Sequence, residues 1–416
     1  MMKRDNLGLS LFLCLVLFSV REVSMNQSHP LLRERNGHEA SVSYSELLFD
    51  LIYVFAVTQL SHYLLHHLSW TGALQTLVMW FAVWLAWQYT AWVTNWFNPD
   101  LRSVRLMLFA VMLMGLFMSS AIPEAFGQRG GVFALFLVLI QVGRTLCVLN
   151  MLGWQHALSG NFKRILGWVS ISAVFWLAGG VCQGETRLLL WAIAVLCEYV
   201  SPMFGFPLPG LGRSSSRREW TIDGHHLAER NQLFVIVALG ETILITGATL
   251  SELTPWTPPV IIASLVAFVG SLALWWIYFD TSSKAGSEAI VHAKDPGKMG
   301  ARFHYVHVVL VGAIIVCAVA NERVINEPAS HINTLTAAVL IGGPLVYLSA
   351  NAVYKLFVYQ RIPLSHLVGI AALVVLVPFS FVTDVLMVNG LTTLIVIVVA
   401  AWESISRARK TEVTSP

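Results

Sequence analysis

The strongest constraint on this chain is a succession of apolar stretches, each about as long as a bilayer is thick. A transmembrane helix takes about 20 predominantly apolar residues. Twelve such runs can be marked: 46–66, 72–94, 104–122, 131–153, 164–182, 187–206, 226–250, 257–279, 303–322, 334–357, 363–382 and 389–404. The last is short but unbroken, LTTLIVIVVAAW. Connections are mostly brief, the longest being 207–225 and 280–302, so no soluble domain is inserted. Composition agrees, with 56% hydrophobic and 12% charged residues, against roughly 25% charged in soluble globular chains. A soluble globule of 416 residues could not hide that much apolar surface. The expected fold is all-α, a polytopic integral membrane protein of about 12 helices whose first partner is the lipid bilayer.

Placement of Lys and Arg gives an independent reading of topology, because cytoplasmic loops hold the positive excess. With the N-terminus inside, outside loops carry only Arg129, Arg187 and Arg323, and the spans hold Arg144 and Arg230. Every other Lys and Arg of the 26 then falls on the inner side. Both termini are expected to be cytoplasmic. The corresponding division is a tail over 1–45, a six-helix half over 46–206, a cytoplasmic loop over 207–225, a second half over 226–404 and a tail over 405–416. Residues 1–24 begin MMKRDNLGLSLFLCLVLFSV, with the dimensions of a signal h-region, yet no small-x-small cleavage site follows. Either this segment is signal-like or anchoring, or Met25 is the true start.

A net charge of +3 implies no surface for nucleic acid. The five cysteines all lie in apolar runs without a Cys-x-x-Cys pair, which points to packing rather than to disulfides or a thiolate metal site. No cofactor motif is present. The segment PGLGRSSS has glycines but neither a preceding strand nor a Gly-Lys-Ser, so it is no phosphate loop.

The two halves share a faint internal pattern. The first run opens SELLFDLIYVFAVTQL and the seventh opens AERNQLFVIVALGETIL, placing Glu46 and Glu229 at matching positions 183 residues apart. The second and eighth runs end at Asp100 and Asp280, 180 apart. Six helices per half is an even number, so the expected relation is a parallel repeat about an axis along the membrane normal, as in many transporters.

The same segments carry a resemblance. ELLFDLIYVFAVTQLSH at 46–62, RLMLFAVMLMGLFMSSAIPEAF at 105–126 and PGLGRSSSRREWTIDGHHLAERNQLFVIVALGETILITG at 209–247 are similar to segments of the bacterial low temperature requirement A (LtrA) family, as are LWWIYFD at 274–280 and YVHVVLVGA at 305–313. The resemblance spans roughly residues 40–400 and implies a bacterial inner-membrane protein. Asn231 stands where an aromatic is commoner in the family, and Phe136 where a tyrosine is. The family name records a growth phenotype, so what the resemblance implies concerns fold and charged positions rather than a reaction.

Ionisable side chains inside a span are costly and mark pathways, relays or structural pairs. Glu241 in LGETILITG lies 12 residues beyond Glu229, about 18 Å along a helix and near the bilayer centre. A carboxyl there can exchange a proton during a transport cycle, and a hydrogen-bonded structural acid is the alternative. Arg144 sits about 13 Å from the inner end of the fourth run and needs an anion, with Glu241 and Glu198 the candidates by depth. Glu46 and Asp50 share a helix face, Glu229 and Arg230 mark the start of the seventh run, and Asp280 and Asp100 stand at inner ends. Together these acids can line a cytoplasmic vestibule for a cation. The competing reading makes Glu46 and Glu229 helix-N-terminal charges favoured by the macrodipole. His62 with His66, and His225 or His226 with Glu229, have ligand-like spacing but no third partner, so no metal site is expected. The stripe Trp80, Trp84, Trp87 is expected to pack or anchor.

No assembled catalytic set is present, so an enzyme is not expected. The leading expectation is a secondary transporter or proton-linked permease for an unknown small solute or ion, with Glu241, Asp50, Arg144, Glu229, Arg230, Glu46 and Asp280 as its candidate site. A channel-like or sensory protein, in which the same charges gate or brace the fold, is the alternative.

Overall fold

Helix-start signals stand at the ends of the apolar runs. Ser43 accepts a hydrogen bond from the Glu46 amide while the Glu46 carboxylate accepts from the Ser43 amide, a reciprocal capping box. Ser69, Asp223, Asp295 and Asn333 cap their own helices through side-chain oxygens. The computed structural model describes residues 29–33 and 40–414, without the side chains of 281–284 and of those beyond 409. The expectations for residues 1–24 and Met25 lie outside the described residues.

The long helices are α1 (Tyr44–His66), α2 (Trp70–Trp96), α3 (Arg102–Ala121), α4 (Gly130–Leu152), α5 (Ser159–Val181), α6 (Gly184–Met203), α7 (Gly224–Glu252), α8 (Pro258–Val291), α9 (Pro296–Asn326), α10 (Thr334–Tyr359), α11 (Leu364–Ser380) and α12 (Val385–Thr414). No strand occurs among the described residues, only isolated bridges. Ten of these helices, all but α2 and α11, are long and apolar enough to cross a membrane. α11 has only 17 residues, and α2 interrupts its tryptophans with Gln75, Gln88, Thr90, Thr94 and Asn95.

The connection expected at 280–302 is helical over most of its length. α8 continues to Val291 and α9 starts at Pro296, leaving only four residues between them. The hydropathy pattern marks where apolar character stops, and a helix can run on into water beyond that point. At about 1.5 Å per residue, the 34 residues of α8 reach about 51 Å, well past a hydrocarbon core of about 30 Å.

In the first half, α1 packs on α2 and α3, α3 on α4, α4 on α5, α5 on α6, and α6 returns to α2. In the second, α7 packs on α8 and α9, α9 on α10, α10 on α11, α11 on α12, and α12 returns to α8. The halves meet where α1 and α2 pack on α7 and α9. α1 and α7 lie side by side in the same direction, because Glu46 meets His226, Asp50 meets Arg230 and Thr58 meets Glu241. α2 and α9 run opposite ways, with Trp84 on His304 and Trp80 on the Val308 carbonyl. A Cβ at Gly312 would lie 2.9 Å from the Trp80 indole nitrogen, so bare backbone is needed for that approach. Leu116, Phe117, Leu265 and Val375 are among the exposed apolar side chains, the surface expected against lipid tails.

α4 is not regular. Residues Leu139–Gly143 form a π-turn between two α-helical segments, and this turn carries Gln141, three residues before Arg144. Such bulges are rare and recur at functional sites.

Candidate functional site

The first polar centre lies at the start of α1 and α7. Glu46 is wholly buried, as are Arg230 and His226. Its Oε2 receives Arg33 Nη2 at 3.1 Å, and its Oε1 lies 2.9 Å from His226 Nε2 and 3.6 Å from Arg230 Nη1. One turn deeper, Asp50 Oδ1 accepts from Arg230 Nη2 at 2.6 Å and from Trp87 Nε1 at 2.7 Å. The Arg230 guanidinium is held between the rings of Phe49 and Trp87, each centred 5.8 Å away. Two carboxylates therefore face two guanidinium groups.

Hydrogen bonding fixes the form of His226. Asn95 Oδ1 accepts from the Asp223 amide at 2.8 Å, so its Nδ2 is the group 3.1 Å from His226 Nδ1. That ring nitrogen accepts, and the proton of the neutral imidazole sits on Nε2, aimed at Glu46. Glu46 stands in the first turn of α1 and closes its capping box, and the same carboxylate also ties α1 to α7 and to the segment before α1. Asp223, rather than Glu229, supplies the side-chain cap of α7.

The second centre is Glu241, 2% exposed, on the α1/α7 seam. Thr58 Oγ1 donates to its Oε2 at 2.7 Å, while Oε1 is buried with no protein hydrogen bond. The two residues are 183 apart, the same spacing as Glu46 and Glu229.

The third centre surrounds Arg144, 2% exposed. The guanidinium donates to the Ala86 carbonyl at 3.2 Å, Thr90 Oγ1 at 3.1 Å and Gln141 Oε1 at 2.7 Å. The anion expected for it is not in place: neither Glu241 nor Glu198 comes within ion-pair distance. Glu198 Oε1 is instead occupied by Ser172 at 2.7 Å and Trp176 at 3.1 Å, and Glu241 is engaged at the other seam. Depth along a helix equates positions that can face different ways, which is why both acids looked suitable.

Several expected neighbours stand apart. Glu229 is exposed on α7. Asp280 is exposed on α8, where its Oδ2 accepts from Ser404 at 2.9 Å. Asp100 is exposed and pairs with Arg105 at 3.5 Å. The acidic vestibule is therefore not assembled, because three of its five acids lie on the surface while Glu46 and Asp50 are enclosed with arginines. His62 and His66 are exposed, and His225 Nδ1 lies 2.8 Å from Ser287 Oγ. Among the described residues no three His, Cys, Asp or Glu side chains gather as a metal site would need.

The geometry can be set beside known proteins. The family model of bacterial low temperature requirement A protein (LtrA) matches residues 41–401. The chain belongs to the LtrA family. It is similar to the uncharacterized protein RA0937 of Rhizobium meliloti (strain 1021), with 37% identity over 395 residues that cover 92% of this chain and 94% of the relative. No solved structure matches. The LtrA match takes in all three polar centres, apart from Arg33.

Sequence reasoning missed several partners in this LtrA chain. Arg33 served only as a topology marker, and Gln88, Gln141 and His304 passed unremarked inside apolar runs, where an uncharged amide or imidazole was the available signal. A further buried pair, Lys355 with Glu403 at 2.8 Å, also escaped notice. Ser365 donates to the same carboxylate, and His366 Nε2 lies 3.0 Å from Asn351 Oδ1. The tryptophan stripe packs as expected and does more: each indole N–H bonds across helices, to Val308, His304 and Asp50.

Proposed function

We propose that this LtrA protein is a twelve-span secondary transporter of two parallel six-helix repeats, moving a small solute or ion coupled to protons. It would sit in a bacterial inner membrane with both termini cytoplasmic. The observation that carries the reading is Glu241, a carboxyl with one oxygen held by Thr58 across the seam between the halves and the other without a protein partner. A buried acid on an interface between moving bodies is suited to load and release a proton as the seam opens.

Two features support the repeat. The order in which helices pack within 44–203 recurs within 224–414, and α1 and α7 run in the same direction, as six helices per half require. The α1/α7 seam then lies near the repeat axis, where equivalent positions such as Thr58 and Glu241 meet at one depth. Asp50, Arg230 and Glu46 serve in this reading as the cytoplasmic latch of that seam. Glu229 and Asp280 remain outside it.

A second reading has one observation in its favour: the Glu46, Asp50, Arg33 and Arg230 cluster is charge-balanced, as a structural or gating brace in a channel or sensor would be. Proteoliposomes separate the two. With an imposed pH gradient and a panel of small solutes, wild type is expected to show saturable uptake with lumenal pH change, and Glu241→Gln to lose it at unchanged stability. Wild-type uptake in Glu241→Gln, or unsaturable conductance in both proteins, contradicts the transporter reading.

A further inference from the structure

Where α10 ends and α11 begins, the second half of α12 walls a cavity of about 520 Å³, within the roughly 300–1,000 Å³ usual for ligand sites. Its lining holds three cations, Lys355, Arg361 and Arg407, against one carboxylate, Glu403. Lys355 and Glu403 neutralise each other at 2.8 Å, with the lysine 1% exposed and Ser365 donating to the same carboxylate. The two arginines remain as the net charge of the cavity, and both are exposed. Arg361 makes no ion pair among the described residues. Arg407 donates to the Asp280 main-chain carbonyl, while the Asp280 carboxylate accepts from Ser404 and is not on the lining.

Around these charges the rim is apolar: Leu364 is 64% exposed, Ile362 46% and Trp402 39%. Trp402 and Tyr359 stand within two residues of the ends of the apolar runs at 404 and 357. The cavity therefore sits where hydrocarbon gives way to headgroups, the level at which tryptophan and tyrosine are favoured and arginine turns its charge toward water. The first turn of α11, which supplies Leu364 and Ser365 to the lining, has no side-chain cap and adds the positive end of a helix dipole to the same wall. Guanidinium forks match phosphate oxygens. An apolar rim beside them matches acyl chains. A soluble phosphate would use the first feature and leave the second unmatched.

We propose that this cavity binds an anionic phospholipid of the surrounding bilayer, Arg361 and Arg407 holding its phosphate and Ile362, Leu364 and Trp402 meeting its acyl chains. With both termini cytoplasmic, as proposed above, the lipid belongs to the inner leaflet. The binding itself does not depend on the transporter reading. A headgroup held there fastens the start of α11 to α12, and α11 is the helix in need of fastening, because its 17 residues reach only about 26 Å against a hydrocarbon core of about 30 Å.

Native mass spectrometry of the full-length protein in detergent tests this, with dioleoyl phosphatidylglycerol and dioleoyl phosphatidylcholine as probes, lipids that share acyl chains and differ in net charge. Each basic residue facing an anionic headgroup contributes about a factor of 5 in affinity. One phosphatidylglycerol is thus expected to bind about 25-fold tighter than phosphatidylcholine. Arg361→Gln should weaken it about 5-fold, and Arg361→Gln with Arg407→Gln should erase the difference between the lipids. Arg217→Gln with Arg218→Gln removes two exposed arginines from the connection before α7 and is expected to leave both affinities unchanged. Equal binding of the two lipids by wild type, or an equal loss in the Arg217 and Arg218 variant, overturns the site in favour of diffuse attraction. sn-Glycerol 3-phosphate, which has the phosphate without the chains, is expected not to displace the lipid. Displacement by it at the concentration at which the lipid itself binds assigns the cavity to a soluble phosphate and overturns the lipid assignment. If Arg407→Gln does not fold, Arg361→Gln and Arg361→Glu decide, and wild-type affinity in both overturns the proposal.

Discussion

Removing the Arg230 guanidinium is the sharpest probe of the α1/α7 latch. In Arg230→Met a thioether of similar length keeps much of the packing against Phe49 and Trp87, while Asp50 loses its 2.6 Å partner and keeps only the Trp87 indole. Glu46 is buffered, because Arg33 at 3.1 Å, His226 at 2.9 Å and the Ser43 amide at 2.9 Å remain. The cost therefore falls chiefly on Asp50, 2% exposed and with Oδ2 already lacking a hydrogen bond. Breaking one side of a buried ion pair costs about 3–5 kcal/mol, whereas replacing both sides with apolar groups is often near neutral. Arg230→Met is thus expected to lose about 3–5 kcal/mol, Asp50→Leu alone to be destabilising as well because it leaves Arg230 short of a partner, and the double variant to lose far less than the sum of the two. Reversible unfolding in mixed micelles, run as a double-mutant cycle, measures it. A loss below about 1 kcal/mol in Arg230→Met, or additive single effects, would refute the placement of Arg230 as the partner of Asp50.

Two further expectations concern other parts of the molecule. Arg187 is 3% exposed and donates to the carbonyls of Ala125, Gly127, Gly179 and Cys182, so Arg187→Gln should cost about 2–3 kcal/mol and loosen the turns α3–α4 and α5–α6, seen as faster hydrogen exchange over 122–131 and 179–187. His29 and His156 meet edge to face at 5.7 Å outside the spans, and burial, with His156 adding to it at His29, holds both below the usual imidazole value of 6.5. The unfolded forms take up protons first as pH falls, so this contact contributes fully above about pH 6.5 and weakens as pH drops through and below it. Protection of residues 29–33, taken relative to the intrinsic exchange rate at each pH, is expected to fall below that pH in wild type and to stay level in His29→Phe with His156→Phe. Pooled protection that stays flat from pH 7.5 to 5 in wild type contradicts the contact.

What was legible in the sequence was periodic or costly. Runs of about 20 apolar residues name helices directly, and Glu241 and Arg144 stood out because charge inside a run is expensive. Which way each charge faces was not legible, because depth along a helix says nothing of azimuth. Arg144 therefore looked ready for Glu198 or Glu241 and instead holds Thr90, Gln141 and the Ala86 carbonyl. Asp280 and Glu229 shared a pattern with Asp100 and Glu46, yet only Glu46 of the four is buried, since only its face of α1 meets α7 and Arg33. The π-turn that carries Gln141 has no local sequence signature, and the unpartnered amide of Gln88 becomes meaningful only once α4 and α9 close around it.

The most direct measurement is proton-driven uptake against solute exchange in Glu241→Gln proteoliposomes, using a solute first found to be moved by wild type. Loss of gradient-driven accumulation with retained solute exchange is the expected result, because a neutral amide can still accept from Thr58 and keep the seam intact while carrying no proton. Gradient-driven accumulation by Glu241→Gln at the wild-type rate would contradict proton coupling through Glu241.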